Sequence, residues 1–287
     1  LGYKLKQKLA PVIFIGPFLI VFAIFMLYPI LYSIVLSLGK YRAGNIVFVG
    51  LKNYQYLLTE GLFYKSLLNT FIILIIQVPC MTVLALIFGC LLNSAIVKGK
   101  GLFRMFTFMP VLIDAVSYSV VFSLLFSENG GFVNNILNVF GISSQNWFSS
   151  GPLAISVIMI ALTWRWTGYN SVIMLSGLQN ISNDLYEAAS IDGANTFVKF
   201  WKITIPQLKP VLLFSIFNSI NGTLQLFTEP NLLTSGGPAN STMTAVLYLY
   251  KVGFKQFNFG IASAGSYILA ILIAVLTFIQ LHVTKED

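Results

Sequence analysis

Charge is scarce in this chain. Only 9% of its 287 residues are charged, against about 25% in an ordinary soluble domain. With 57% apolar residues and a mean hydropathy of +0.83, no stretch can support an independent water-facing domain. Acid is scarcer than base, nine Asp and Glu against seventeen Lys and Arg. Cysteine appears twice, at Cys80 and Cys90, inside one apolar run. The pair has no metal-ligand spacing and no loop to staple, so both read as packing residues. The one histidine, His282, stands at the end of the last apolar run without ligand neighbours. No GxxxxGK[ST] loop is present, so the chain cannot hydrolyse ATP by itself. Together these absences exclude a catalytic constellation and a metal site. Nucleic-acid binding needs a basic patch on a water-facing domain, and none exists. There is no internal repeat and no low-complexity segment.

What is abundant is long apolar sequence. Apolar runs of bilayer-spanning length are expected at 9–39, 66–97, 105–127, 153–176, 210–227 and 259–283, with one charge each in the third (Asp114) and fourth (Arg165). The first is too long for a signal peptide and lacks a small-x-small cleavage site. Pro79 is expected to kink the second run. The fold class expected is therefore an all-α integral membrane protein of six transmembrane helices, a single domain over 1–287. The 25 Phe and 13 Tyr suit aromatic belts. Six spans place both termini on one side. That side carries Lys4, Lys6, Lys8, Lys98, Lys100, Arg104, Lys199, Lys202, Lys209 and Lys285. The other carries Lys40, Arg42, Lys52, Lys65, Lys251 and Lys255. The excess of positive charge assigns the first side to the cytoplasm and predicts a multi-pass protein of a prokaryotic cell membrane.

One polar interruption is patterned as helix: LYEAASIDGANTFVKFWKITIPQLKP, residues 185–210. Asp184 is expected to N-cap a short helix, with Glu187 three residues on as its capping-box partner. Gly193 supplies the C-terminal turn, because glycine enters left-handed backbone space without penalty. A second helix is expected from Thr196, with Phe197, Phe200, Trp201 and Thr204 on one face. Pro206 and Pro210 are expected to stop it and start the next.

This stretch resembles the cytoplasmic coupling loop of permease subunits from binding-protein-dependent ABC importers. Glu187, Ala188, Ala189, Asp192, Gly193, Ala194, Phe200, Ile203, Pro206 and Pro210 stand where that signature has them, and Ile205 replaces the more usual Leu. Further resemblance to the maltose-transporter type of sugar permease lies in FIGPFLIVFAIFMLYPILYSIVLSL and FVGLKNY. It continues in LLTSGGP at 232–238, Ser241-Thr242 and FGIASA from Phe259. The large extracytoplasmic insertion of the maltose member is missing, since 40–65 is short. The resemblance implies a sugar or oligosaccharide importer working by alternating access. It implies a second, similar permease, two ATPase subunits that carry ATP and Mg and dock on 178–209, and an extracellular solute-binding protein. The chain itself would hold no cofactor.

Two groups of residues invite a solute site. Arg165 lies deep in the fourth run among Trp164, Trp166 and Tyr169, and a charge at that depth needs a partner or water. It either pairs with an acid, for which Asp114 in the third run is the candidate, or joins the aromatics in binding sugar. The fifth run carries Ser215, Asn218, Ser219, Asn221, Thr223 and Gln225 within eleven residues. They are either helix–helix glue or a face lining an aqueous path. Aligned on Trp166-x-Gly168 and the Gly236-Gly237-Pro238 loop, the sugar permeases' contacts fall on Trp164, Thr167, Gly168, Ser171, Ser219, Gly222, Thr223 and Leu226. Only Gly168 and Ser219 keep their identity. A secondary transporter is the rival class. It would show inverted repeats and midplane acids, and the sequence offers Asp114 alone.

Overall fold

Backbone inside a bilayer must satisfy its own hydrogen bonds, so apolar runs of this length fold as helices. The computed structural model describes residues 13–42, 45–94 and 97–285. The basic tail with Lys4, Lys6 and Lys8 lies outside them. In chain order the elements are helix α1 (Ile13–Ser37), strands β1 (Gly39–Arg42) and β2 (Asn45–Phe48), α2 (Lys52–Leu57) and α3 (Gly61–Asn93). They continue with α4 (Lys100–Leu112), α5 (Ala115–Leu125), α6 (Phe132–Val139), α7 (Gly151–Gln179) and α8 (Asn183–Ile191). The last are α9 (Thr196–Leu224), α10 (Ala245–Tyr250) and α11 (Phe259–Lys285).

Among the described residues α1, α3, α9 and the Phe259–Gln280 part of α11 are long and apolar enough to cross a membrane. The pair α4 and α5 adds a fifth crossing if it is counted as one span. The 29-residue α7, which carries Arg165, is long enough to cross but more polar. The result is a multi-spanning helical membrane protein. The all-α class holds, and the 40–65 loop adds one short antiparallel pair, β1 with β2.

The third apolar run is not one straight helix as expected. It breaks between Leu112 and Ala115 with a turn of 99°. Asp114 is the N-cap of α5, and its Oδ2 accepts from the amides of Val116 at 2.9 Å and Ser117 at 3.3 Å. A helix that restarts in mid-run leaves orphan N–H groups, and a carboxylate satisfies two of them. Asp114 is exposed and engaged here, so it is not the buried partner foreseen for Arg165. The expected stop at Pro206 and Pro210 is also corrected, since both lie inside α9. A π turn over Phe200–Thr204 moves the hydrogen-bond ladder by one residue just before Pro206, and the Ile205 amide bonds to the Phe200 carbonyl. The ladder thus adapts to the missing proline donor instead of ending. Pro79 likewise sits inside α3 without ending it.

The chain divides into two compact units. In the one that includes α1 and the hairpin, Asn53 donates to the carbonyls of Ser37 (2.8 Å) and Gly39 (2.9 Å), and Tyr54 donates to Ser37 Oγ. These bonds satisfy carbonyls left open where α1 ends. A Cβ on Gly260 would lie 2.2 Å from the same Gly39 carbonyl, so α11 starts against bare backbone.

In the unit that includes α3 to α9, α3 and α7 pack along much of their length. Tyr118, Phe122, Phe126, Val157 and Ala161 form one core cluster. A second is built from Ile73, Ile158, Leu162 and Leu226, and a third from Met174, Leu178 and Leu208. Cys90 packs beside the third, whereas Cys80 is exposed. Ser215 donates to Asn170 at 2.6 Å and ties α9 to α7 in a buried contact.

Candidate functional site

A cavity of about 290 Å³ opens between α3, α7 and α9. From α3 come Gln77 and Met81. The α7 wall is Leu162, Arg165, Trp166, Tyr169 and Asn170. The α9 wall is Asn218, Ser219, Gly222 and Thr223. The chain leaving α9 closes the site with Gln225, Leu226, Phe227, Thr228 and Glu229, and Ala115 completes it from α5. Four carboxamides, three Ser and Thr hydroxyls and three aromatic rings thus face one space. The set suits a ligand with hydroxyls at its edge and C–H on its faces.

Of the fifth-run residues expected here, Ser219, Gly222, Thr223 and Leu226 line the cavity. The polar residues of this run divide between two placements. Ser215 joins helices, and Asn218, Ser219, Thr223 and Gln225 face the space. The four contacts expected from the fourth run fall elsewhere. Thr167 and Ser171 are buried and bond back to their own helix at Thr163 and Gly168. Gly168 allows a close approach, but to the chain itself: a Cβ there would lie 1.5 Å from the Thr107 carbonyl of α4. Trp164 packs on Phe122 (ring centroids 5.5 Å) and Tyr118 (6.2 Å). The cavity is lined by the neighbouring face of α7, that of Leu162, Arg165, Trp166 and Tyr169. One residue along a helix is a rotation of about 100°, enough to exchange these faces.

The partner of Arg165 is another correction. Its guanidinium carbon sits 4.7 Å above the Tyr118 ring and 5.7 Å from that of Trp166. Tyr118 donates its hydroxyl proton to Glu229, which is 5% exposed. The acid near Arg165 is therefore Glu229, reached through one tyrosine. A signal was present, because Glu229 is the only charged residue between Lys209 and Lys251. The Nε of Arg165 is buried without a hydrogen-bond partner.

Behind Glu229 the chain forms a π turn at Pro230–Thr234 and then the Gly236-Gly237-Pro238 loop. That loop is held by side chains of α3. Lys65 Nζ donates to the Ala239 carbonyl, Asn69 to those of Asn240 and Met243, and Thr70 Oγ1 accepts the Ala245 amide. Thr244 donates to the Leu226 carbonyl at 2.6 Å, which fixes one corner of the cavity.

The helical interruption at 178–209 forms a second candidate surface. Its N-cap is Ser182 rather than the expected Asp184. Ser182 Oγ accepts the Asp184 amide, which leaves Asp184 in the first turn, where an acid favours the helix dipole. At the other end Gly193 has φ +77°, its amide bonds to Ser190 and that of Ala194 to Ala189. This is the two-bond glycine cap expected of Gly193. The second helix then starts at Thr196, as expected, and its N-cap is Asn195, whose Oδ1 accepts the Val198 amide. Tyr186–Thr204 (2.9 Å) and Lys199–Ser190 (2.6 Å) bonds brace the two helices. Glu187, Ala188, Asp192 and Gly193 are exposed, and Ala189 and Ala194 are half-buried. Beside them stand bare apolar side chains, Ile191 at 88% and Phe197 at 70% exposure.

Helices of membrane-spanning length, a broken span and a polar cavity among them define a multi-pass membrane transport protein. Residues 7–286 match the model of the binding-protein-dependent transport system inner membrane component, and the chain belongs to that family. It is 42% identical to the lactose transport system permease protein LacF of Rhizobium radiobacter, over 96% of this chain and 93% of that one. It is 36% identical to the arabinooligosaccharides transport system permease protein AraP of Halalkalibacterium halodurans, over 97% and 89%. A chain of the bacterial alginate ABC transporter, crystallised with an alginate pentasaccharide-bound periplasmic protein, shares the fold with TM-score 0.88 at 19% identity. The match covers 100% of this chain and 97% of that one. The protein is a transport subunit, and among the described residues no group of His, Cys, Asp and Glu could hold a metal ion.

Proposed function

We propose that this permease translocates a sugar or oligosaccharide by alternating access, with the cavity between α3, α7 and α9 as its solute site. One observation carries the reading: carboxamides, hydroxyls and aromatic rings converge on a single space of about 290 Å³ within a membrane protein. Relatives named for lactose and arabinooligosaccharide transport support it. Ser219 and Thr223 recognise hydroxyls, Trp166 and Tyr169 offer ring faces, and the bare Gly222 backbone sets the floor. Trp164, Thr167, Gly168 and Ser171 support this wall from behind.

The chain acts as one permease domain with six spans, α7 being the fourth. Both termini and the 178–209 loop lie in the cytoplasm. There Glu187, Ala188, Ala189, Asp192, Gly193 and Ala194 dock on an ATPase subunit. A second, homologous permease completes the translocation path, as in the maltose-transporter type. Two ATPases carry ATP and Mg, and an extracellular binding protein delivers the solute.

Uptake of labelled oligosaccharides into vesicles holding the whole importer tests this, with saturating binding protein. Ser219→Ala should slow uptake several-fold, since one hydrogen bond is worth about 0.5–1.5 kcal/mol. Ser219→Ala and Thr223→Val together should slow it further. Unchanged uptake and preference in the double variant would place the site elsewhere.

A further inference from the structure

The cavity has two charged residues in its wall, one of each sign, and they meet on one tyrosine. Glu229 accepts the Tyr118 hydroxyl, and Arg165 lies over the Tyr118 ring. Each keeps capacity for a ligand. A carboxylate accepts several hydrogen bonds, and one is used by Tyr118. Arg165 lines the cavity with a five-donor guanidinium, whose buried Nε has no hydrogen-bond partner. The two charges come from different elements, α7 and the chain beyond α9, so their pairing is set by the fold.

We propose that Glu229 and Arg165 make this cavity selective for a neutral, hydroxyl-rich ring and closed to an acidic one. The inference rests on the carbohydrate reading and names the substrate class within it. A neutral sugar is both donor and acceptor at every hydroxyl. It gives protons to Glu229, takes them from Arg165, and leaves the site's net charge at zero. A uronic acid brings a second carboxylate beside Glu229, whose own burial leaves little water to screen the pair. Like charges there oppose binding, and Arg165 is already balanced by its own acid. Tyr118 is the positioning residue: its hydroxyl holds Glu229 and its ring seats Arg165.

The test reads direct binding, without the binding protein's own selectivity. The detergent-solubilised importer complex is titrated with lactose, maltose, trehalose and digalacturonate. Quenching of tryptophan fluorescence is followed, with Trp166 as the reporter in the cavity wall. Wild type should bind at least one neutral disaccharide and refuse digalacturonate. Glu229→Gln should weaken the neutral sugar by about ten- to a hundred-fold, the value of a hydrogen bond to a charged group, and admit digalacturonate. Glu229→Asp keeps the charge and should keep the refusal. Tyr118→Phe keeps both charges and the ring, so it should weaken the neutral sugar several-fold without changing preference. If Glu229→Gln does not accumulate, the Asp and Phe variants carry the test, and unchanged affinity in both overturns the proposal. So does digalacturonate binding to wild type, or a Glu229→Gln complex with wild-type affinity and refusal. A wild-type complex that binds no sugar of either class defeats the carbohydrate reading itself.

Discussion

At the scale of single residues, two glycines of the same region make opposite predictions. A Cβ on Gly168 would meet the Thr107 carbonyl at 1.5 Å, whereas one on Gly222 meets nothing within 4 Å. Gly168→Ala should therefore destabilise the fold by about 1–3 kcal/mol, the usual cost of overpacking. A lower thermal midpoint of the solubilised protein will report it. Gly222→Ala should leave that midpoint in place and weaken sugar binding by filling part of the cavity. Equal midpoints in the two variants would contradict the helix crossing described here. The sequence alone could mark Gly168 as a position needing a small residue, but not what approaches it. That depends on α4, sixty residues upstream, and on which face of α7 turns inward.

At the scale of elements, the legible parts were those with local causes. Gly193, Asn195 and Thr196 act within a few residues of themselves, and the turn between α8 and α9 forms as their chemistry dictates. The broken third span was not legible, because hydropathy is the same for a straight and a bent apolar run. Asp114 was visible but was read as a membrane-buried charge, when its role is to start α5. Asp114→Ala should cost about 0.5–2 kcal/mol, the value of a lost N-cap, and Asp114→Asn should cost little. Denaturation of the two purified variants compares them directly. Gly193→Val forces a β-branched side chain into backbone it avoids, at about 1–3 kcal/mol. The damage should stay in the loop, giving normal membrane insertion with lost solute-stimulated ATPase activity. Retained stimulation would separate this turn from coupling.

At the scale of the whole molecule, the six-span arrangement proposed above would put the Gly-Gly-Pro loop outside and the α8 region inside. Asn240 and Ile191 are both exposed, so cysteines placed there are accessible from their own side only. An impermeant thiol reagent on intact cells should label Asn240→Cys and spare Ile191→Cys. The reverse pattern would invert the topology. Membrane class and helix order follow from composition and run length, since the bilayer imposes them on any such sequence. The acid of the cavity was missed because Glu229 belongs to a segment that hydropathy assigns to water and the fold returns to the interior.

The bonds from α3 to the Gly-Gly-Pro loop also bear on how the protein is made. Asn69 and Met243 are 174 residues apart, and Thr70 and Ala245 are 175. At a synthesis rate of about 5–20 residues per second, the partners of Asn69 and Thr70 emerge roughly 10–35 s after α3 itself. During that interval the nascent span carries the Asn69 amide donors without these partners, while the Thr70 hydroxyl can already donate to the Ser66 carbonyl of its own helix. The insertion machinery, or water within it, must shelter those donors. Residues 239–245 thus complete the hydrogen bonding of α3.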